Sequence, residues 1–338
     1  MPMSPHLPEF RKDPVVDRWV IIAAERSKRP QPPRATNEVT LAEPCPFCTG
    51  NEWMTPPESL AFRDPLTRAD SPGWQVRVVP NKYPAVLGTG DLCHRTNTLY
   101  QAKIALGAHE VIIENPAHCV DMGELTDNQF QTVLRAYRDR MAELQKDKRW
   151  HHILIFKNQG GAAGATLEHV HSQLIALPMV PREVDDEWQA VKAHYQRCQR
   201  CLYCDMIDEE RILRNRVIVD NHEFIAFCPF APRFPFETWI LPRKHTSFFG
   251  FLSDTEVAQL ARALRETLCR LNVALNHPSF NYVLHSAPLQ KMQGEHYHWH
   301  LEIMPRTTEV AGFEWGSGFY INTVAPEDAA RNLRATMP

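Results

Sequence analysis

The chain has 338 residues, 43% of them hydrophobic, which suffices for one large domain or two of ordinary size around a sizeable core. A formal net charge of −3 leaves no broad basic surface of the kind duplex nucleic acid requires, so any phosphate handled here belongs to a small molecule. The opening MPMSPHLPEFRKDP is proline-rich and charged, and no run of about 18 apolar residues occurs anywhere, so a soluble cytoplasmic protein without a membrane partner is expected. Nine cysteines and sixteen histidines accompany two close pairs, Cys45-Pro-Phe-Cys48 and Cys201-Leu-Tyr-Cys204. In a reducing compartment such pairs point to metal binding before a disulfide framework.

Read forward from each pair, the chain says the same thing twice. The first copy runs from Cys45 and Cys48 through HEVIIENPAH, ending at His118, to a helix, then HHILIFKNQ and HVHSQLIALP. The second runs from Cys201 and Cys204 through FETWILPRKH, ending at His245, to a helix, then FNYVLHSAP and HWHLEIMP. His118 lies eight residues before Thr126, which opens a T-x-x-Q capping box with Gln129, and His245 lies eight before Ser253, which opens S-x-x-E with Glu256. Phe130, Val133, Leu134, Tyr137, Met141 and Leu144 then mark one face of the first helix; Val257, Leu260, Leu264, Leu268 and Leu271 mark one face of the second.

The runs VIIEN, HILIF, SQLIAL, FIAFC, TWILP, NYVL and LEIMP have strand length and strand composition. The expected fold is therefore α+β, a mostly antiparallel sheet in each half with a long helix on one face, the two sheets joining into one. The halves are placed at 1–180 and 181–338. Proline-rich loops at 29–34 and 54–57 and the polar stretch 181–200 are read as connections.

Each repeat supplies a tetrahedral set of the kind zinc prefers: Cys45, Cys48, His118 and His169 in the first, Cys201, Cys204, His245 and His298 in the second. Cys198 also forms a C-x-x-C with Cys201, which leaves a shifted second pair open, although the repeat favours Cys201 and Cys204. Two zinc sites are expected, with iron an alternative at the second, and closed four-ligand sites of this kind are structural.

Chemistry is expected in the segment Asn158–Gln173, NQGGAAGATLEHVHSQ, where a glycine- and alanine-rich loop lets backbone amides approach phosphate oxygens. In extended chain His169, His171 and Gln173 share a side. With His169 on a metal, His171 is fixed as a nucleophile for phosphorus, and Gln173 donates to the phosphoryl oxygen that gains charge, a contact whose removal costs about 3 kcal/mol. The second copy has Glu302 in place of Gln173 and no glycine loop, so His300, the counterpart of His171, is read as structural and one active site is expected per chain.

These residues resemble the histidine triad superfamily and, within it, the galactose-1-phosphate uridylyltransferases and the plant-type ADP-glucose phosphorylases. The likeness covers nearly the whole chain: Arg26-x-Lys28-Arg29-Pro30, CPFC, VPNKYPA around Asn81, GAAGATLEHVHSQ and the late GFEWGSGFYIN. It implies two half-barrel repeats and a double displacement in which His171 takes a nucleotidyl group from a nucleotide sugar and passes it to a phosphate acceptor. It further implies that Asn158, Gly164, Ala165 and Thr166 line the nucleotide phosphates, Asn81 the ribose, and Gly312, Phe313 and Glu314 the sugar, with Arg26 and Arg29 approaching from the neighbouring subunit of a homodimer. Uridylyl transfer from UDP-glucose to galactose 1-phosphate, a step of galactose metabolism, is the first expectation. Ser172, where many uridylyltransferases have H-P-H-G-Q, and the GFEWGSGFYIN ending keep ADP-glucose phosphorylase open as the alternative, ahead of hydrolysis or a non-catalytic zinc module.

Overall fold

The computed structural model describes residues 8–16, 18–24, 44–89, 94–96, 99 and 101–336. In chain order the strands are β1 (Glu9–Lys12), β2 (Trp19–Ile22), β3 (Leu60–Arg63), β4 (Trp74–Pro80), β5 (His94–Thr96), β6 (Gln101–Lys103), β7 (Ala108–Ile113), β8 (His152–Gln159), β9 (His171–Leu177), β10 (Val217–Asp220), β11 (Phe224–Phe227), β12 (Thr238–Pro242), β13 (Phe280–His285), β14 (His300–Pro305) and β15 (Tyr320–Asn322). The α-helices are α1 (Asp127–Leu144), α2 (Arg182–Cys198), α3 (Leu202–Leu213), α4 (Asp254–Leu275), α5 (Gly312–Ser317) and α6 (Pro326–Ala335). The proline-rich stretch 29–34 lies outside the described residues.

A 10-stranded sheet in the order β10-β11-β12-β14-β13-β8-β9-β7-β4-β3 forms the frame, and the neighbouring strands pair antiparallel throughout. Its two halves are copies turned about the junction of β8 and β13, where Asn158 faces Asn281 and Lys157 faces Tyr282. All seven runs read as strands lie in this sheet. Two smaller sheets, β1-β2-β15 and β5-β6, complete the strands.

The long helices begin where their capping boxes were read, since the Thr126 and Ser253 side chains accept from the amides of Gln129 and Glu256 and both reciprocal bonds are made. Their apolar stripes pack against each other and the same face of the sheet, burying Phe130, Tyr137, Leu260 and Leu264 completely; α6 adds Ala330 and Leu333 to this core. Burial of such side chains, at about 1.5–3 kcal/mol each, holds the sheet flat against its helices.

The other face carries the site. There the stretch 181–200, expected as a connection, instead contains the helix α2 (Arg182–Cys198), because Val184, Trp188 and Val191 recur at helical spacing under a charged surface. With Leu202, Tyr203 and Ile207 of α3, Trp188 and Val191 cover Ile225, Phe227, Trp239 and Leu241 of the second half. The first half has no such helices among the described residues, and Phe47 packs there on Trp74, Val79, Val111 and Ile113. No described helix is long and apolar enough to cross a membrane.

Candidate active site and metal clusters

Cys45, Cys48, His118 and His169 come together with ligand atoms within 4.8 Å of one another. Nδ1 of His169 lies 3.5 Å from Cys45 Sγ and 3.6 Å from Cys48 Sγ, and Nδ1 of His118 lies 3.5 Å from Cys48 Sγ. Zinc bond lengths place sulfur and nitrogen at two corners of a tetrahedron about 3.6 Å apart, so the spacing fits that ion. Nε2 of His169 sits 2.8 Å from the Asn115 carbonyl, to which its N–H donates, leaving the Nδ1 lone pair for a metal. Burial and the neighbouring Cys45 thiol push Cys48 up to about 11, a cost that a bound cation removes.

The second cluster repeats the first. Cys201, Cys204, His245 and His298 also fall within 4.8 Å, with Cys204 Sγ 3.6 Å from His245 Nδ1 and 3.7 Å from His298 Nδ1. His298 Nε2 donates to the Pro242 carbonyl at 2.8 Å, as His169 does to Asn115. Cys198 is exposed at the end of α2 and lies outside this group. Each group could hold a metal.

His171 opens β9, two residues after His169. Its Nδ1–H donates to the His169 carbonyl at 2.8 Å, and the Phe47 ring of the Cys45–Cys48 turn lies 5.2 Å away. Nε2 is left without a partner among the described residues. Burial holds the ring's pKa below its ordinary value, so the imidazole is neutral and its lone pair available. Behind it, Lys157 donates to the His171 carbonyl at 3.0 Å and to Glu114 at 2.5 Å, in a buried network with Tyr137, Ser172 and Tyr282. Ser172 therefore faces the helices, and the H-V-H-S-Q signature at that position reports core packing.

The glycine loop follows β8. Gly160 has φ +80 and a Cβ there would lie 2.2 Å from Ser279 Oγ, so only glycine fits. Gly164, also at positive φ, Ala165 and Thr166 lie on the loop beyond it, Gly164 and Thr166 exposed. Asn158 is bonded by Asn281, which is held in turn by Arg306. Gln173 and Asn81 meet around His109: Gln173 Oε1 is 2.8 Å from its Nε2, and Asn81 Nδ2 is 3.1 Å from the same atom. Gly312, Phe313 and Glu314 are elsewhere, on the short helix α5 that packs on β15, with Gly312 and Phe313 exposed and the Glu314 carboxylate accepting from the Ala311 amide. Arg26 and Arg29 lie outside the described residues.

Several of these partners escape sequence reading. His109 meets Gln173, Asn281 meets Asn158, Arg306 meets Asn281 and Lys157 meets the His171 carbonyl across elements far apart in sequence, which spacing does not reveal. Around His300, the counterpart of His171, Glu187 and His285 complete a third group of ligand-type atoms within 4.8 Å. His285 stacks on His300 at 4.5 Å and bonds Glu187 at 3.1 Å; burial opposes its charge, yet the carboxylates of Glu302 and Glu187 push it up to about 10. Glu302 also bonds Arg233. Glu187 could be suspected only once α2 was known to present it inward beside Trp188.

Residues 91–337 match the family described as "Domain of unknown function (DUF4921)". The chain is 36% identical to an ADP-glucose phosphorylase of Arabidopsis thaliana over 335 residues, covering 97% of this chain and 92% of that protein. To a galactose-1-phosphate uridylyltransferase of Thermotoga maritima it is 26% identical over 97% of this chain and 98% of the other. The crystal structure of an ADP-glucose phosphorylase from Arabidopsis thaliana with bound ADP-glucose superposes with a TM-score of 0.83 at 35% identity, covering 98% of this chain and all of that one (100%). A structure of uridylyltransferase gives a TM-score of 0.76 at 30% identity, covering 97% and 98%. The full-length likeness, on a fold whose two halves bring the same histidine and cysteine sets together, makes this chain a nucleotidyltransferase and a member of the family that includes ADP-glucose phosphorylase and the galactose-1-phosphate uridylyltransferases.

Proposed function

We propose that the chain transfers a nucleotidyl group between a nucleoside diphosphate sugar and a phosphate acceptor by way of a covalent intermediate on His171. The observation that carries this reading is the free Nε2 of a neutral, buried imidazole whose other nitrogen is tied to the His169 carbonyl. In the first step Nε2 attacks the α-phosphorus, the bond from that phosphorus to the bridging oxygen breaks, and the sugar phosphate leaves with the electron pair. A phosphate leaves as a stable anion and needs no proton, so no general acid is required. In the second step an acceptor phosphate oxygen attacks the same phosphorus and frees the imidazole. Gln173 and Asn158 flank His171 as hydrogen-bond donors to the phosphoryl oxygens, and the loop through Gly164, Ala165 and Thr166 lies against the nucleotide phosphates. Asn81 takes the ribose.

Two donor and acceptor pairs share these steps. Uridylyl transfer from UDP-glucose to galactose 1-phosphate is the pair expected from the sequence, supported by the relatives named uridylyltransferase. The higher identity to the Arabidopsis protein, 36% against 26%, favours the second pair, adenylyl transfer from ADP-glucose to inorganic phosphate. Both clusters would hold zinc, the second alternatively iron, and both would act structurally: the first fixes the backbone of His169 and hence of His171. The protein would work in the cytoplasm as a homodimer, with Arg26, Arg29 and the exposed α5 residues Gly312, Phe313 and Glu314 completing a neighbouring subunit's sugar pocket.

Mass spectrometry of the protein mixed with UDP-glucose or ADP-glucose tests the reading and identifies the base. A nucleotidyl adduct on His171 that persists until galactose 1-phosphate or phosphate is added is expected. An adduct on another residue, or turnover with no adduct in rapid-quench samples, overturns it.

A further inference from the structure

A side-chain amide can help a phosphorus displacement only with its NH2 end forward, because the oxygen end would repel the phosphoryl oxygens. Both carboxamides beside His171 have their oxygen ends tied back. The Ala85 amide donates to His109 Nδ1 at 3.0 Å, so Nδ1 is the acceptor and Nε2 carries the proton. Whatever faces Nε2 at 2.8 Å must accept, and the acceptor of Gln173 is Oε1. The Asn81 NH2, 3.1 Å from the same Nε2, is a donor beside a donor and makes no bond there, its own Oδ1 being held by the Tyr83 amide at 2.8 Å.

On the other side of His171 the same logic runs through the second half. Asn281 Oδ1 accepts from Arg306, so its NH2 must point the other way, and it donates to Asn158 Oδ1 at 2.7 Å and to the Ala163 carbonyl at 2.8 Å. Asn158, like Gln173, then has only its NH2 end left, and neither NH2 has a partner among the described residues. Gln173 is two residues beyond His171 on β9, and Asn158 continues the register of β8 against it, in which Phe156 faces Gln173. By that register Asn158 comes opposite His171, so the side chains of Gln173, His171 and Asn158 share one face of the sheet, at the end of β8 where the glycine loop begins.

We infer that His109 and Asn281 are positioning residues, which set the carboxamides of Gln173 and Asn158 as a matched pair of donors to the phosphorus under attack. The inference rests on the proposal that His171 is the nucleophile, and it gives the otherwise inert half of the chain a task at the active site. His109 and Asn281 act through another residue and need not touch the substrate.

Single-turnover formation of the nucleotidyl adduct, with thermal midpoint and bound zinc measured on the same samples, tests it. His109→Phe fills the space but cannot donate, and a fall of about 10- to 100-fold in the first-order rate is expected, with substrate half-saturation within about threefold. His109→Gln keeps a donor toward Gln173 and should recover most of the loss. Asn281→Asp still accepts from Arg306 but cannot donate to Asn158, and a similar fall is expected. In a Gln173→Ala background, His109→Phe should cost little more, because the group it orients is gone. Additive losses, or no recovery by His109→Gln at unchanged midpoint and zinc content, overturn the positioning role. Failure of Gln173→Ala alone to slow the reaction would overturn the underlying assignment of Gln173, a result separate from an inert His109→Phe.

Discussion

His171 and His300 occupy the same place in two copies of one scaffold, and the groups packed around them differ. Each follows a metal-cluster histidine by two residues, each donates Nδ1–H to that histidine's carbonyl, at 2.8 and 3.2 Å, and each lies beside the aromatic ring of its own Cys-x-x-Cys turn, Phe47 or Tyr203. What differs is the cover. Over His300 lie α2 with Glu187, the stacked His285 and Trp239, and Glu302 stands where the first half has Gln173. Over His171, among the described residues, lies the Phe47 turn, and Gln173 stands in β9 where the second half has Glu302. Under the proposed mechanism the backbone device that aims an imidazole would not be enough for catalysis, because the surroundings of the ring would decide whether it meets a phosphate or a carboxylate.

The sharpest way to break this comparison is to remove each ring in turn. His171→Gly should lower the rate by at least about 10⁴-fold while the protein stays folded and binds nucleotide sugar, as titration calorimetry would read. His300→Asn should leave an adduct that still forms at one per chain, with the loss appearing in the thermal midpoint. A second adduct in the wild type, or an active His171→Gly, would end the distinction between the halves.

Cutting a cysteine from each cluster gives a smaller contrast. Cys48→Ala and Cys204→Ala should each release one metal per chain and lower the thermal midpoint, but at equal folded concentration Cys48→Ala should slow adduct formation about 10- to 100-fold and Cys204→Ala by less than about threefold. Equal kinetic losses would mean that both metals govern the His171 strand. Next, Gly160→Ala forces a methyl group to 2.2 Å from Ser279 Oγ and to 3.2 Å from its backbone at φ +80, and a loss of about 1–3 kcal/mol in urea unfolding is expected, with weaker nucleotide binding. Smallest of all, Thr126→Ala and Ser253→Ala should each cost about 1 kcal/mol by the same assay, since the two capping boxes are made alike; a large inequality would show that the repeated helices are not equivalent.

The repeat was legible because it is written in local signals: a capping residue three positions before its partner, an apolar stripe at helical spacing, a pair of cysteines with two residues between them. The helix α2 was hidden because nearly all its residues except Val184, Trp188 and Val191 are charged, polar or small, so its inward stripe is one residue wide per turn. That the cysteine and histidine sets would cluster could be read because their spacing repeats; the partnerships of His109, Asn281 and Glu187 could not, since each reaches its partner across strands or from a separate element. Ser172 shows the converse. It is an informative letter in the motif, yet its hydroxyl is spent on Glu114, Tyr137 and Tyr282 inside the core.

Because β8 and β13 form the seam of the sheet, with Asn158 facing Asn281, the chain cannot be divided into an active piece and a spare one. A fragment ending near residue 180 would carry the nucleophile and its own metal ligands but would expose β8 as a bare edge, ready to pair with any extended peptide. Supplying the other fragment would heal that edge and return the asparagine together. Recovery of adduct formation on mixing the two fragments is the outcome expected of a seam of this kind.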